Sequence, residues 1–209
     1  NLPDPSSLAN MDKGIKILLE KIFRNNTLGI LGDYDVDGAT STALLGRYFD
    51  ELKISYEIYI PDRKTEGYGP SIKGFDKLIK KNVKVIFTVD CGTLSFEAIN
   101  YAKSKNLDVI VLDHHQSEIN LPKAHSVVNP NRLDDKSDLQ YLCAAGVAFM
   151  FLVSINRELR LIDWFKKKSI IEPNLIDYLD LVSLGTVCDV VPLIGLNRAI
   201  VKQGLKVLK

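Results

Sequence analysis

The sequence predicts an α/β fold, a largely parallel sheet flanked by helices and followed by a helical section. Three observations predict it. Short apolar runs alternate with helical segments of roughly ten to fifteen residues, the pattern of repeated strand–helix–strand units. Three of those runs end in an acid or an imidazole: Leu28-Gly29-Ile30-Leu31 leads to Asp33, Val83 to Val89 leads to Asp90, and Asp108 to Leu112 leads to Asp113-His114-His115. Beyond about Leu139 the spacing is helical only.

The elements follow in order. Residues 1–10 are turn-rich, with Pro3, Asp4, Pro5, Ser6 and Ser7. Met11, Ile15, Leu18, Leu19, Ile22 and Phe23 recur at helical spacing, and Asn25-Asn26 ends that helix before the first strand. A helix is expected from about Thr40 to Leu52, and a strand over Ile54 to Ile60, where residues alternate and β-branched and aromatic types abound. Pro61 to Pro70 is a loop carrying Arg63, Lys64, Gly67, Tyr68 and Gly69. Helices are expected over Ser71 to Lys81 and Ser95 to Lys105, and a short strand over Ser126 to Val128. Cys143 to Leu161 and Leu175 to Leu184 read as helices, the second delivering Gly185 to Pro192. Lys166-Lys167-Lys168 reads as a solvated face, and a last helix begins near Asn197.

At 209 residues the chain is one large domain or one domain with a small extension, and 46% hydrophobic content supplies a sizeable core. A net charge of +1 excludes a globally basic nucleic-acid binder, so any such surface is local. No apolar run approaches the ~20 residues of a membrane helix, and no signal peptide is present. Cys91, Cys143 and Cys188 are odd in number and lack C-x-x-C spacing, which points to a reducing, cytoplasmic compartment. The first residue is Asn1, so the chain reads as an excised piece.

The chemistry centres on Gly32-Asp33-Tyr34-Asp35-Val36-Asp37-Gly38, three carboxylates at alternate positions between a buried strand and a helix. Acids this close repel when ionised and call for protons, partners or hard divalent cations. An EF-hand is excluded, because its twelfth position needs Glu and here holds Leu44. A dinucleotide fingerprint is absent. A solvated acidic turn is the remaining plain reading.

The candidate ligands are Asp33, Asp35, Asp37, Asp90, His114 and Asp189, a donor set suited to Mn²⁺ or Mg²⁺ and to a two-ion site that clamps a phosphoryl group. Each has a plainer alternative. Asp90 fits a helix cap, His114-His115 beside Asp113 a hydrogen-bonded turn, and Asp189 a turn acid. Cys91 and Cys188 fit small buried thiols better than ligands, and His125 an ordinary loop residue. Clustering at strand ends is what favours the metal reading, because strand ends on one edge of a parallel sheet converge.

Gly32 to Thr42, Thr88-Val89-Asp90-Cys91-Gly92, Asp113-His114-His115 and Leu184 to Pro192 resemble the four motifs of the DHH phosphoesterase superfamily. Pro61-x-Arg63, Gly67-Tyr68-Gly69, Val128-Asn129-Pro130-Asn131 and Asn197-Arg198 resemble more narrowly its bacterial single-strand-specific 5′-to-3′ exonucleases. The resemblance implies a Rossmann-like catalytic domain over residues 1–194, with an α/β part near 28–131 and a helical part near 139–189. Residues 195–209 would then start a connecting helix towards a second domain. It implies two Mn²⁺ or Mg²⁺ ions on Asp33, Asp35, Asp37, Asp90, His114 and Asp189, with Asp90 bridging. It places His115 beside the scissile phosphate, and Arg63 and Arg198 as phosphate contacts. The implied partners are single-stranded DNA and helicase or single-strand-binding proteins, with no membrane. Leu31 departs from the histidine many members carry there, leaving Asp33 as its substitute, and Cys91 stands where many have Asn. A sibling phosphodiesterase acting on short oligonucleotides, cyclic dinucleotides or a phosphate monoester is the enzymatic alternative. A degenerate DHH scaffold is the non-enzymatic one.

Overall fold

The computed structural model describes residues 2–209. After a 3₁₀ turn at Pro5–Ser7, the order is α1 (Met11–Phe23), β1 (Leu28–Gly32), α2 (Val36–Glu51), β2 (Tyr56–Tyr59), α3 (Ile72–Lys80), β3 (Val85–Val89), α4 (Phe96–Ser104), β4 (Asp108–Leu112) and β5 (Ser126–Val128). Then come α5 (Ala144–Leu161), α6 (Trp164–Lys168), a 3₁₀ turn at Leu175–Tyr178, α7 (Leu179–Cys188) and α8 (Gly195–Val207). The five strands run parallel in the order β2-β1-β3-β4-β5. The chain order therefore reverses beside β1, and the loops after β1 and β3 face one crevice at the carboxyl edge.

Strand alternation divides the core into two layers. Leu28, Ile30, Val85, Phe87, Val89, Ile110 and Leu112 point into the larger one, against α1, α2, α5 and α7. Leu31, Ile86, Val109 and Val111 point to the other, against Phe75 and Leu78 of α3 and Ile99 of α4. Both faces are covered, which explains why these strands read as continuous apolar runs. Each buried Leu, Ile, Val or Phe contributes up to ~1.5–3 kcal/mol of transfer free energy.

Three element boundaries shift. α2 starts at Val36, not near Thr40, because the Asp35 side chain caps it by accepting from the Gly38 amide at 2.9 Å. Asp37 thus lies in the first helical turn. β2 is shorter than Ile54 to Ile60, because Lys53 turns left-handed (φ 56°) and the Ile54 amide closes α2 onto the Phe49 carbonyl. The helix expected to stop at Leu184 runs on to Cys188, with Asp189 at its C-cap. Cys91 is buried as expected, but Cys188 is exposed, because it faces outward on the last turn of α7. Lys166, Lys167 and Lys168 are solvated. α8 packs on α7 so closely that a side chain on Gly204 would strike Ser183 and the Leu179 carbonyl. No helix among the described residues is long and apolar enough to cross a membrane.

Candidate metal centre

The sheet lines up the strand-end residues. The Asp33 amide donates to the Val89 carbonyl (3.3 Å), the Asp90 amide to the Leu112 carbonyl (3.0 Å), and the Asp113 amide to the Val128 carbonyl (3.1 Å). Each therefore stands one step beyond its strand, on the neighbouring strand's last bond. Asp90 takes a left-handed conformation there, with φ 60°. Such strain in a non-glycine residue gathers at functional sites. Gly38 lets α2 begin against this edge, since a Cβ there would lie 2.6–2.8 Å from the Asp33 backbone. Gly185 does the same for α7, since its Cβ would meet Asp37 Oδ1 and Thr40 Oγ1 at 2.7 Å.

Seven of the expected side chains converge. They form three overlapping sets, Asp33 with Asp35 and Asp90, Asp37 with His114 and Asp189, and Asp90 with His114 and His115. Within each set the ligand atoms lie within 4.8 Å of one another. His114 Nε2 is 3.3 Å from Asp90, 3.5 Å from Asp189 and 3.8 Å from Asp37. Asp37 is fixed by the first amides of α5, accepting from Ala144 at 2.6 Å and Ala145 at 2.9 Å. Leu31, at the histidine place, is buried in the layer under α3, and Asp33 stands in the set with Asp35 and Asp90.

The electrostatics separate these acids from Asp113. Burial pushes the carboxyls of Asp33, Asp37 and Asp189 upward. Burial, followed by repulsion from Asp37, pushes Asp90 to about 10. Burial acts upward on Asp113 too, but bonds from His115 and Thr93 outweigh it and hold Asp113 at about 2. Asp113 in turn raises His115, whose Nδ1 lies 2.7 Å from its oxygen. Asp113 also accepts from the amides of Thr93 (3.0 Å) and His114 (2.8 Å).

Sequence reasoning gave no role to Asp113, Thr93, Asn129, Asn131 or Tyr68, although several fall in the quoted motifs. Asn129 Nδ2 donates to Thr93 Oγ1 (2.8 Å) and the His115 carbonyl (2.9 Å), and Asn131 Nδ2 donates to the His114 carbonyl. These residues latch the histidine loop. Tyr68 donates its hydroxyl proton to the Asp90 carbonyl at 2.9 Å. Arg63 is exposed and lies over the Tyr34 ring at 5.3 Å, beside the first acids. Arg198 is exposed on α8, next to Asn197, which holds the Tyr141 and Pro192 carbonyls. His125 lies apart, at the opposite edge, paired with Asp108.

The residues present fit divalent cations. Asp33 Oδ1, Asp90 Oδ1, His114 Nε2 and Asp189 Oδ2 are all buried and have no hydrogen-bond partner. Buried polar atoms are ordinarily satisfied, and a leftover set of hard carboxylate oxygens with one imidazole suits Mn²⁺ or Mg²⁺.

A doubly wound α/β domain with a carboxylate–imidazole cluster at its carboxyl edge has the architecture and donor set of a metal-binding α/β domain. More specifically, the chain belongs to the DHH family: the family model described as "DHH family, N-terminal domain" matches residues 27–186. It is 37% identical over 203 residues to the single-stranded-DNA-specific exonuclease RecJ of Haemophilus influenzae, covering 97% of this chain and 35% of that protein. A crystal structure of exonuclease RecJ bound to manganese superposes with a TM-score of 0.79 and 31% identity, over 95% of this chain and 48% of that one. RecJ from Thermus thermophilus in complex with Mn²⁺ gives a TM-score of 0.74 and 28% identity, over 95% and 27%. The chain spans about a third of the length of the curated relatives it matches.

Proposed function

We propose that this domain is the catalytic unit of a divalent-metal-dependent phosphodiesterase that degrades single-stranded DNA from its 5′ end. The observation that carries the reading is the set of four unpartnered buried ligand atoms at one sheet edge, in a chain similar to RecJ along nearly its whole length. Asp33, Asp35, Asp37, Asp90, His114 and Asp189 would hold two ions of Mn²⁺ or Mg²⁺, with Asp90, common to two sets, between them. Such ions, when bound, lower the pKa of a water and neutralise charge on a phosphoryl group.

The chain's own residues supply the rest. Ala144 and Ala145 amides fix Asp37, and the Asp35 cap on Gly38 fixes the turn that carries all three acids. Asp113 holds His115 by Nδ1 and favours its cationic form, and that ring would face the scissile phosphate. Arg63 and Arg198 are the proposed phosphate contacts, since a planar fork matches phosphate oxygens. Residues 1–194 form the proposed catalytic domain. Cytoplasmic repair, with helicases or single-strand-binding proteins as partners, belongs to the same proposal.

End-labelled single-stranded DNA incubated with Mn²⁺ or Mg²⁺ tests it. Mononucleotides should appear from the 5′ end and duplex should resist. Release from the 3′ end, hydrolysis confined to dinucleotides or cyclic dinucleotides, or no release at all would each overturn it.

A further inference from the structure

Beside the metal centre lies a groove with no part in the proposed metal chemistry. It has a volume of about 550 Å³ and runs between the loop 61–70 and the N-terminal end of α4. Tyr68, Ile72, Leu94 and Phe96 form its apolar walls, with Ser71 and Ser95 among them. Tyr68, Ile72 and Leu94 are 55%, 37% and 49% exposed, so three of the chain's exposed large hydrophobic residues gather there. Exposed apolar side chains in one concave patch next to a reactive centre mark a ligand surface.

Tyr68 joins this groove to the centre. Its ring lines the groove, while its hydroxyl bonds the Asp90 carbonyl. The phenol oxygen also lies 3.2 and 3.3 Å from the two ring nitrogens of His115, meeting the imidazole edge-on. Whatever occupies the groove is therefore adjacent to the group facing the phosphate. Glu66 and Glu97 also line it. Lys73 lines it as well, with Nζ 3.5 Å from a Glu66 oxygen, so the lining offers a phosphate no unmatched cation and its apolar walls suit an uncharged occupant.

We propose that this groove seats the nucleobase of the 5′-terminal nucleotide, packed between Tyr68 and Leu94, so that the following phosphate falls at the centre. The inference rests on the proposed nuclease reading and supplies what that reading lacks, a place for the base. The volume takes a mononucleotide-sized ligand rather than a continuing strand. Every base has a π-face, so a stacking site of this kind is tolerant of sequence.

The test pairs a protein change with a substrate change. Leu94→Ala with Ile72→Ala removes groove wall at solvent-exposed positions. On an ordinary 5′-phosphorylated strand the double variant should lose roughly tenfold in kcat/KM, the scale of one base stack. On a strand whose 5′-terminal nucleotide is abasic, wild type and variant should be equal. Equal rates on the ordinary strand, or the same loss on both strands, would overturn the groove. A second reading needs no turnover. A trinucleotide with 2-aminopurine at its 5′ end should lose fluorescence on binding wild type, and retain it with the double variant. Cleavage without quenching would sink the groove and leave the nuclease reading standing. Quenching without cleavage would do the reverse.

Discussion

A histidine meets carboxylates beside each end of β4, and the two settings are opposite in kind. At the amino end Asp108 takes Lys21 Nζ at 2.5 Å and His125 Nδ1 at 3.1 Å, and His125 is 44% exposed. Charge there is matched, and the histidine is partly solvated. At the carboxyl end His114 Nε2 stands among three carboxylates and satisfies none by hydrogen-bond geometry. The same two residue types are stabilised at one end and left wanting at the other. Unsatisfied burial, not residue identity, distinguishes a site from a surface pair.

The largest expected effect is at the carboxyl end. Asp90→Asn should abolish Mn²⁺-dependent hydrolysis while circular dichroism shows the fold intact, because one uncharged oxygen cannot join two cations. Retention of more than about a tenth of wild-type activity, a loss under ~1.4 kcal/mol, would end the bridging role.

The next contrast lies within that end. His114→Ala should weaken Mn²⁺ affinity by at least the ~10–100-fold that outer-shell partners cost. His115→Ala should leave affinity near normal and lower turnover roughly 10²-fold, the scale of a lost charge-stabilising donor, because its Nδ1 is committed to Asp113. Calorimetric titration with Mn²⁺ showing equal losses for both would defeat the division.

Much of this edge was legible in the sequence, and for a reason. β1, β3 and β4 are covered on both faces, so they read as unbroken apolar runs, and the first polar residue after each run is where the chain leaves the sheet. Asp33, Asp90 and the His114 loop were found that way. The strand order was not, since nothing local states which strand neighbours which. Nor was the true start of α2, because a polar Asp35 reads as loop until it is seen capping Gly38. Gly185 misled in the opposite sense. A glycine after an apolar segment suggests a helix end, but here α7 runs through it, and the residue is glycine because Asp37, Thr40 and Ala145 leave no room for a Cβ. The sequence offers Asp113 and the histidines as a hydrogen-bonded turn, which Asp113 forms by accepting from both histidine amides. Its role as their anchor depends on Thr93, twenty positions away.

The two ends should also part in their response to pH. Asp90 is held at about 10, against an ordinary 3.8, and Asp33, Asp37 and Asp189 are raised as well. In the metal-free chain the folded state then holds protons that the unfolded state releases above about pH 4, so stability falls as pH rises towards 10. His115, also raised, acts in the same direction, and Asp113, held at about 2, releases its contribution only in strong acid. Thermal unfolding in chelator should show Tm dropping from about pH 5 to about pH 9, and Mn²⁺ should restore it by binding the folded state. A Tm that rises over this interval without metal would show that these acids are compensated in some other way.

The smallest effect is expected at the amino end. His125 donates its backbone amide to the Val109 carbonyl at 2.9 Å, a bond that any side chain except proline preserves. Its ring faces solvent on one side and Asp108 on the other, and Asp108 keeps Lys21 when the ring is gone. A partly exposed pair of this kind is worth ~0–1 kcal/mol. His125→Ala should therefore change Mn²⁺ affinity and turnover by no more than about twofold, a difference worth under ~0.5 kcal/mol at RT ≈ 0.59 kcal/mol, with Tm nearly unmoved. Calorimetry and rate measurement on one preparation decide it. A loss of affinity comparable to that of His114→Ala would mean that the imidazole at this edge also serves a metal, and that a matched, partly solvated pair is no guide to where the chemistry is absent.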